Sequence, residues 1–338
     1  MKLYNLNLQL FAETQTTLTE SLSPEMKTFY DKVLIREAQA NLIHGQFGQS
    51  KPIPKNGGKT IEFRKFDSLP KALTPITEGV TPAGNKLSVT AITATIKQYG
   101  DYIVQSDLLE LTSIDNTIVE ATQLLANQAG LTLDTIDREV LNGGTNVVYA
   151  PKVAADGTTT AVTSRANLDA TAKLTVDVVK RCATNLKAVN APKIDGYYVG
   201  IIHPHCAYDL STDPNWMEVQ KYASPENMLK GEIGKIGGVR FVESTEAKIF
   251  TAAGGASDCP SGLAVYSTLF LGANAYGVTQ VEGGGLETIV KQKGYGDDPL
   301  NQRSSIGWKA TRVTERLVEQ YLVRCESCGA YSAEAEAN

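Results

Sequence analysis

The sequence D-N-T-I-V-E-A-T-Q-L-L-A-N-Q-A-G-L-T-L-D-T-I-D-R-E-V-L-N, residues 115–142, predicts one long α-helix around which the rest of the chain is arranged. Its apolar and small side chains recur at alternating steps of three and four, which places them on one stripe of a helix. At 1.5 Å per residue the helix would extend roughly 40 Å. Such a helix supports a sheet on its striped side. The stripe consists of Ile118, Thr122, Leu125, Ala129, Leu133, Ile136 and Val140.

Both ends of this helix carry residues that commonly begin and end helices. Asp115 or Asn116 can cap the start, because a short side-chain oxygen accepts the orphan backbone N–H groups of the first turn. Gly143-Gly144 follows the last apolar position and predicts a left-handed stop that other residues resist.

Length, composition and charge indicate a folded protein of two or more lobes. The chain has 338 residues, 42% of them hydrophobic and 20% charged. The net charge of −5 argues against an overall basic nucleic-acid binder but leaves room for a local basic face. Five cysteines are an odd number, which suggests reduced thiols in a cytosol. We expect neither a signal peptide nor a membrane-spanning segment.

Residues 1–58 are predicted to form an N-terminal arm and a helix. Residues 1–11 alternate apolar and polar side chains, which fits either a strand that pairs with a neighbouring subunit or a frayed tail. Ser23-Pro24-Glu25 is typical of a helix start, and the helix would continue roughly to residue 44. Residues 46–58 are rich in Gly, Pro and Lys and predict a linker.

Residues 59–105 predict a long hairpin. The stretches 59–66 and 87–104 have the composition and alternation of strands. The residues between them contain too many breakers for a tight turn, so we expect a long exposed loop that reaches over a neighbouring subunit. These breakers are Pro70, Pro75, Gly79, Pro82 and Gly84.

The remaining residues predict an α+β fold. A second helix is expected within 168–190 and a short one at 204–210, while 216–229 is irregular. Helices and antiparallel strands are intermixed without a regular βαβ alternation, which favours an α+β fold. The predicted strands are 196–203, 263–272, 286–293 and 305–325, with a glycine turn that leads into a further strand at 231–245.

Two glycine-rich stretches have weak resemblance to phosphate-binding motifs. Gly57-Gly58-Lys59-Thr60 looks like the end of a phosphate loop, but Ile53 occupies the position of the required earlier glycine. Gly231, Gly234 and Gly237 are spaced by three, which is not the dinucleotide pattern. Flexible turns are the better interpretation of both stretches.

The sequence has two metal-like groupings, His203-Pro204-His205-Cys206 and Cys325-x-x-Cys328. A zinc site needs convergent soft or imidazole ligands, and a Cys-x-x-Cys pair usually needs a second pair. A thiol- or metal-dependent enzyme would therefore require these groups to meet by folding, whereas the histidines could equally be half-exposed residues with satisfied hydrogen bonds. We predict no enzyme, no catalytic residue, no cofactor and no metal.

Several stretches in a fixed order carry a family resemblance. They begin with P-K-N-G-G-K-T-I-E-F-R-K-F at 54–66, A-L-T-P-I-T-E-G-V-T-P at 72–82 and Q-Y-G-D-Y-I-V-Q-S-D-L-L-E-L-T at 98–112. They continue at 128–146, 201–205 and 236–245. Together they resemble the major capsid proteins of tailed bacteriophages with the Hong Kong 97-type fold, most closely the family named after the main head protein of the N-four podovirus. The resemblance covers roughly residues 20–328.

The resemblance implies a domain layout. The N-terminal arm is 1–58 and the extended hairpin loop is 59–105. The peripheral domain, with the long spine helix, is 106–164 and 286–338. The axial domain, which surrounds five-fold and six-fold axes, is 165–285.

The resemblance also implies a function that resides in interfaces. The chain would be the structural subunit of an icosahedral bacteriophage head, assembling into hexamers and pentamers that enclose double-stranded DNA without sequence-specific contacts. Its partners would be further copies of itself, a separate scaffold protein, a portal and decoration proteins. It would be assembled in the host bacterial cytoplasm and reside in the virion, with no membrane partner.

Two family features remain open in the sequence. Some relatives cross-link a Lys to an Asn, and Lys71 and Lys86 lie in the hairpin loop. No partner Asn or catalytic acid matches, so we do not predict a cross-link.

The alternative function is that of an encapsulin-like nanocompartment shell of the same fold, which would house cargo enzymes.

Overall fold

The computed structural model describes residues 42–66, 69–76, 78–81, 84–112, 117–154, 156–216, 234–252, 259–296 and 298–338. These residues belong to two compact units. Unit one contains described residues of Gly100–Ala129 and Leu286–Lys309, and unit two contains those of Ala40–Tyr99, Gly130–Gly285 and Ala310–Asn338. The predicted arm strand at 1–11 and the helix start at Ser23 lie outside the described residues.

Helices and strands are mixed along the chain, as the sequence predicts. The helices are α1 Asp107–Thr112, α2 Thr117–Asn142, α3 Val176–Ala188 and α4 Pro204–Ser211. The strands of the first half are β1 Gln49–Ser50, β2 Thr60–Phe66, β3 Val89–Thr95, β4 Lys97–Ser106, β5 Val147–Tyr149, β6 Lys152–Val153 and β7 Thr159–Thr160. The later strands are β8 Tyr198–Ile202, β9 Lys235–Ile236, β10 Val239–Glu243, β11 Ile249–Phe250, β12 Val265–Leu271, β13 Tyr276–Thr279, β14 Glu287–Lys291, β15 Arg303–Arg316 and β16 Leu322–Ser327.

The long helix is present as α2, and its predicted stripe is buried where its side chains are described. Thr122, Leu125, Ala129 and Leu133 are buried, while Ile136 and Val140 are half-buried. The proposed caps at 115 and 116 and the side chain of Ile118 lie outside the described residues. The expectation of a single apolar stripe is wrong for the second half of the helix. There the buried residues also include Asp134, Asp137 and Arg138.

The predicted left-handed stop after α2 is wrong, although the helix does end at Asn142. Gly143 and Gly144 are not among the residues with positive φ. Both glycines instead lie close to side chains from distant parts of the sequence. A Cβ at Gly143 would lie 2.6 Å from Nη1 of Arg316, and one at Gly144 would lie 2.6 Å from Oε1 of Glu319.

The main core of unit two surrounds a seven-stranded sheet of order β5-β16-β12-β8-β10-β9, with β11 added beside β12. Every residue of β8 and β12 is buried, as the continuous apolar runs predict. β8 runs parallel to β10 and antiparallel to β12, so the sheet is mixed. The predicted second helix is α3, which contributes Val179, Cys182 and Leu186 to the same core.

The predicted C-terminal strand at 305–325 is two strands rather than one. β15 ends at Arg316, and β16 begins at Leu322 after a short 3₁₀ turn. The backbone N–H groups of Leu317 and Val318 both donate to the carbonyl of Ala275, which ends the ladder of β15 with β13. β13 has no counterpart among the strands predicted from the sequence.

The predicted linker at 46–58 is a paired segment over much of its length. β1 runs parallel to β13 in unit two, and Ile53 forms a further bridge with Val281. The predicted helix reaching residue 44 does not extend into the described residues, because 42 and 43 have no regular structure and 44–47 form a turn.

The predicted hairpin is confirmed. β2 and β3 pair antiparallel from Thr60 opposite Thr95 to Phe66 opposite Val89. The predicted return strand at 87–104 is divided at Ile96, whose N–H donates to the carbonyl of Lys59.

In unit one, β15 is paired on two sides. β14 pairs with it from Glu287 opposite Lys309 to Lys291 opposite Ser305, and β4 is its other partner. Gly100 is needed in β4, because a Cβ there would lie 2.5 Å from the carbonyl oxygen of Trp308.

Candidate functional site

The described residues of the two glycine-rich stretches form turns before strands, and Gly231 lies outside the described residues. The N–H of Gly57 donates to the carbonyl of Pro54, and the chain then enters β2 rather than a helix. Gly237 and Gly238, both with positive φ, turn the chain from β9 into β10. Neither arrangement presents backbone N–H groups at a helix N-terminus, where phosphate loops bind their ligand.

The two metal-like groupings meet in the core of unit two. His203 caps α4 by accepting the N–H of His205 at Nδ1, at 3.1 Å. Nδ1 of His205 lies 2.7 Å from the hydroxyl of Tyr266. Cys206 lies near Ser327, with 3.8 Å between Sγ and Oγ, so the first grouping adjoins the end of β16 that leads to Cys328.

This cluster is built as a packed aromatic and thiol core. The ring of His203 stacks on Tyr266 at 5.2 Å between centroids, and His205 stacks on Tyr331 at 4.7 Å. Among the described residues, no three His, Cys, Asp or Glu side chains are placed to hold a metal ion.

The pKa values of the cysteines and of His203 in this cluster do not favour nucleophilic or metal-binding thiolates. Burial raises the pKa of the Cys206 thiol and of the Cys328 thiol, each to about 12. A hydrogen bond with Cys182, together with burial, raises the pKa of Cys325 well above its ordinary value. Burial, with a smaller contribution from His205, lowers the pKa of His203 to about 4. Thiolates are the reactive and metal-binding form of cysteine, so protonated thiols at neutral pH are inert.

A buried polar cluster that was not predicted from the sequence fixes residues 43 and 44 against α2. One carboxylate oxygen of Asp134 on α2 accepts the N–H of Ile43 at 2.8 Å and of His44 at 2.7 Å. The other lies 2.6 Å from Nδ1 of His44, whose carbonyl accepts the hydroxyl of Tyr276. Asp134 therefore holds both the backbone and the ring of His44, and Tyr276 holds its carbonyl.

The next turn of α2 carries a buried ion pair. Asp137 accepts both Nε of Arg312, at 3.0 Å, and Nη2 of the same guanidinium, and it also accepts the hydroxyl of Thr314. A buried carboxylate needs such partners, since its desolvation is otherwise costly. Asp134 and Asp137 are adjacent to the predicted stripe, and their positions in a helical repeat gave no signal of these contacts.

Large apolar side chains are exposed along the hairpin of unit two. Leu73 is 82% exposed and Ile76 is 77% exposed. Monomeric proteins rarely expose such a concentration of apolar surface, so it marks an interaction surface. The large apolar residues exposed here are Phe66, Leu69, Leu73, Ile76, Val80, Leu87 and Val89.

Unit one exposes a second set. Leu111 is 78% exposed, and Leu108 is 66% exposed. The set consists of Tyr102, Val104, Leu108, Leu109, Leu111, Leu124, Tyr295 and Leu300.

A family comparison identifies what kind of protein carries these surfaces. The sequence profile of a family described as phage capsid protein matches residues 105–308, which is more than half of the chain. The chain belongs to the phage capsid protein family. This is a family of structural proteins of the virion and not a class of enzyme.

Solved structures show the same fold. The capsid of Ralstonia phage GP4 is 16% identical, with a TM-score of 0.65, and the match covers 97% of this chain and 98% of that one. The capsid of cyanophage Pam1 is 15% identical, with a TM-score of 0.64 over 84% and 89% of the two chains. The capsid of cyanophage P-SCSP1u is 14% identical, with a TM-score of 0.61 over 84% and 87%. No curated protein sequence matches the chain.

The family membership accounts for the kind of site that the capsid protein has. An icosahedral capsid is built from many copies of its subunit, so the functional surfaces are those that contact further copies. None of the helices that the structure describes is long and apolar enough to cross a membrane.

Proposed function

We propose that this capsid protein is the major structural subunit of an icosahedral bacteriophage head and assembles into hexamers and pentamers that enclose double-stranded DNA. The observation that carries the proposal is the exposed apolar surface of the hairpin, from Phe66 to Val89. Burial of apolar area is the dominant favourable contribution to most protein–protein association. Contact with an adjacent subunit is the means by which a shell would remove this surface from water.

The proposed domain layout follows the Hong Kong 97-type pattern. The arm is 1–58, the extended hairpin loop 59–105, the peripheral domain 106–164 and 286–338, and the axial domain 165–285. The paired strands β2 and β3 and the continuous helix α2 support the assignment of the hairpin loop and the spine helix. We infer further that the relatives most similar in layout are the N-four-type capsid proteins.

The proposed partners are a separate scaffold protein, a portal and decoration proteins, with assembly in the host bacterial cytoplasm. The curvature of a growing shell has to be set while the subunits assemble. A scaffold protein would set it. The enclosed DNA would be held without sequence-specific contacts.

Sedimentation velocity of the purified protein, alone and after co-expression with the phage scaffold, tests the assembly. We expect capsomers and shell-sized particles. A homogeneous monomer under both conditions would contradict the proposal. Particles from infected cells that contain cargo enzymes and no DNA would instead establish the nanocompartment alternative.

A further inference from the structure

A basic cavity lies beside the edge of the seven-stranded sheet in unit two. Its volume is about 640 Å³, and its charged lining residues are Lys193, Lys235, Arg240 and Asp195. The lining therefore holds three cations and one carboxylate, in a chain whose net charge is −5. Lys193, Lys235 and Arg240 are all exposed, so a polymer outside the cavity can reach them.

Two of these cations are directly opposite each other in the sheet. Arg240 of β10 pairs in register with Lys235 of β9, and both line the cavity. Val199 of β8 is the next residue in this row, since it is the partner of Arg240 on the other side. Like charges directly opposite on neighbouring strands destabilise a sheet. An anion bound between them would remove that cost.

Aromatic contacts position the lysines without neutralising them. Nζ of Lys235 lies 4.0 Å from the centroid of the Tyr197 ring, and Nζ of Lys193 lies 5.9 Å from that of Tyr198. A tight turn at Asp195 and Gly196, with φ of 49° and 83°, sets the positions of Lys193 and Tyr197 on either side of it. Within the described residues, no carboxylate forms an ion pair with Lys193, Lys235 or Arg240.

We propose that this cavity binds the phosphate backbone of the enclosed double-stranded DNA, which places it on the inner surface of the shell. The inference rests on the proposed function, because the enclosed genome is the polyanion that such a subunit meets. Duplex DNA presents one negative charge per roughly 1.7 Å of its axis, and Arg and Lys bind phosphate without reading sequence. The amide side chains of Gln46, Gln49 and Asn274 also line the cavity and can donate to phosphate oxygens.

The test measures binding of a fluorescent duplex of mixed sequence to purified, unassembled full-length protein across a range of salt concentrations. The double variant Lys235→Gln and Arg240→Gln should reduce the slope of log K against log salt by roughly 1.8, because each lost phosphate contact contributes about 0.9. Affinity should fall about tenfold or more near about 0.1 M salt. The matched control is Lys55→Gln with Lys59→Gln, two exposed lysines outside the cavity, which should retain the wild-type slope.

Equal slopes for the wild type and the cavity variant would overturn the proposal, as would an equal loss in the control variant. Poly-glutamate of matched charge provides the alternative ligand. Tighter binding of duplex than of poly-glutamate supports the proposal, whereas equal or tighter binding of poly-glutamate would assign the cavity to an acidic protein segment. Electron microscopy of the same variant tests assembly separately, because loss of duplex binding should leave shell formation intact.

Discussion

Nδ1 of His44 lies 2.6 Å from a carboxylate oxygen of Asp134, and both side chains are fully buried. The second oxygen of Asp134 accepts the backbone N–H groups of Ile43 and His44. One carboxylate on α2 thus fixes residues 43 and 44, a few residues before strand β1.

Asp134→Ala should lower the free energy of unfolding by about 3–5 kcal/mol, because it leaves the buried imidazole and two backbone N–H groups without their partner. Nε2 of His44 already has no partner among the described residues, so the ring would lose its remaining hydrogen bond. Urea denaturation of the unassembled subunit measures the loss. Gln123→Ala, an exposed position on the same helix, is the control and should change stability by less than about 0.5 kcal/mol. Equal effects of the two variants would show that the buried pair does not stabilise the folded subunit.

The stability of the subunit should fall as the pH is lowered from about 6.5 towards 4, in part because of His203. Its pKa is lowered to about 4 in the folded protein by burial, so the unfolded chain binds the proton more readily in this window. Nδ1 also accepts the N–H of His205, a bond that protonation there would break. His203→Asn retains a capping side chain and should reduce the slope of unfolding free energy against pH by up to ~1.4 kcal/mol per pH unit. Identical slopes in the two proteins would contradict this assignment.

Chelators should change neither the fold nor assembly, because the pKa values of the Cys206, Cys325 and Cys328 thiols are raised and the described residues hold no metal ligand set. Cys182, Cys206, Cys325 and Cys328 should react with an alkylating reagent only after denaturant is added. Elemental analysis and thiol titration of washed protein measure both points. Stoichiometric zinc, or rapid alkylation of the native subunit, would refute the prediction.

The hairpin tip should be ordered by neighbouring subunits. Ordering costs about 1–2 kcal/mol per backbone residue, and Leu69, Leu73 and Ile76 are exposed within one subunit. We therefore expect fast amide exchange and protease cleavage between Leu69 and Lys86 in free subunits, and protection in shells.

Deletion of 70–85 should leave the fold of unit two intact and block stable assembly. Circular dichroism reports the fold, and sedimentation reports the assembly. Normal shells from the deletion variant, or equal protection of the tip in free subunits, would show that the hairpin does not clamp adjacent subunits.

Periodicity predicted the parts of the fold that depend on local spacing. α2, α3 and the hairpin of β2 and β3 follow directly from repeats of 3.6 and 2 residues. The break between β15 and β16 was not predictable from local spacing. It depends on the hydrogen bonds of Leu317 and Val318 to Ala275, which lies more than forty residues earlier in the sequence. The role of Gly143 likewise depends on the distant Arg316.

The functional surfaces were less predictable than the fold. The prediction of a long exposed hairpin loop rested on its prolines and glycines. The importance of its large apolar side chains became clear only from their exposure in the structure. The buried partners of Asp134 and Asp137 come from residues far along the chain, so no spacing rule identifies them. The cation pair of Lys235 and Arg240 required the register of β9 and β10.

Electron microscopy of the purified protein, co-expressed with its scaffold, tests the central claim most directly. If the chain is the shell subunit, the images will show closed particles with icosahedral symmetry, built from hexamers and pentamers. A reconstruction would then show residues 69–87 lying against an adjacent subunit. Uniform small particles of subunit size, with no capsomers or shells, would contradict the account.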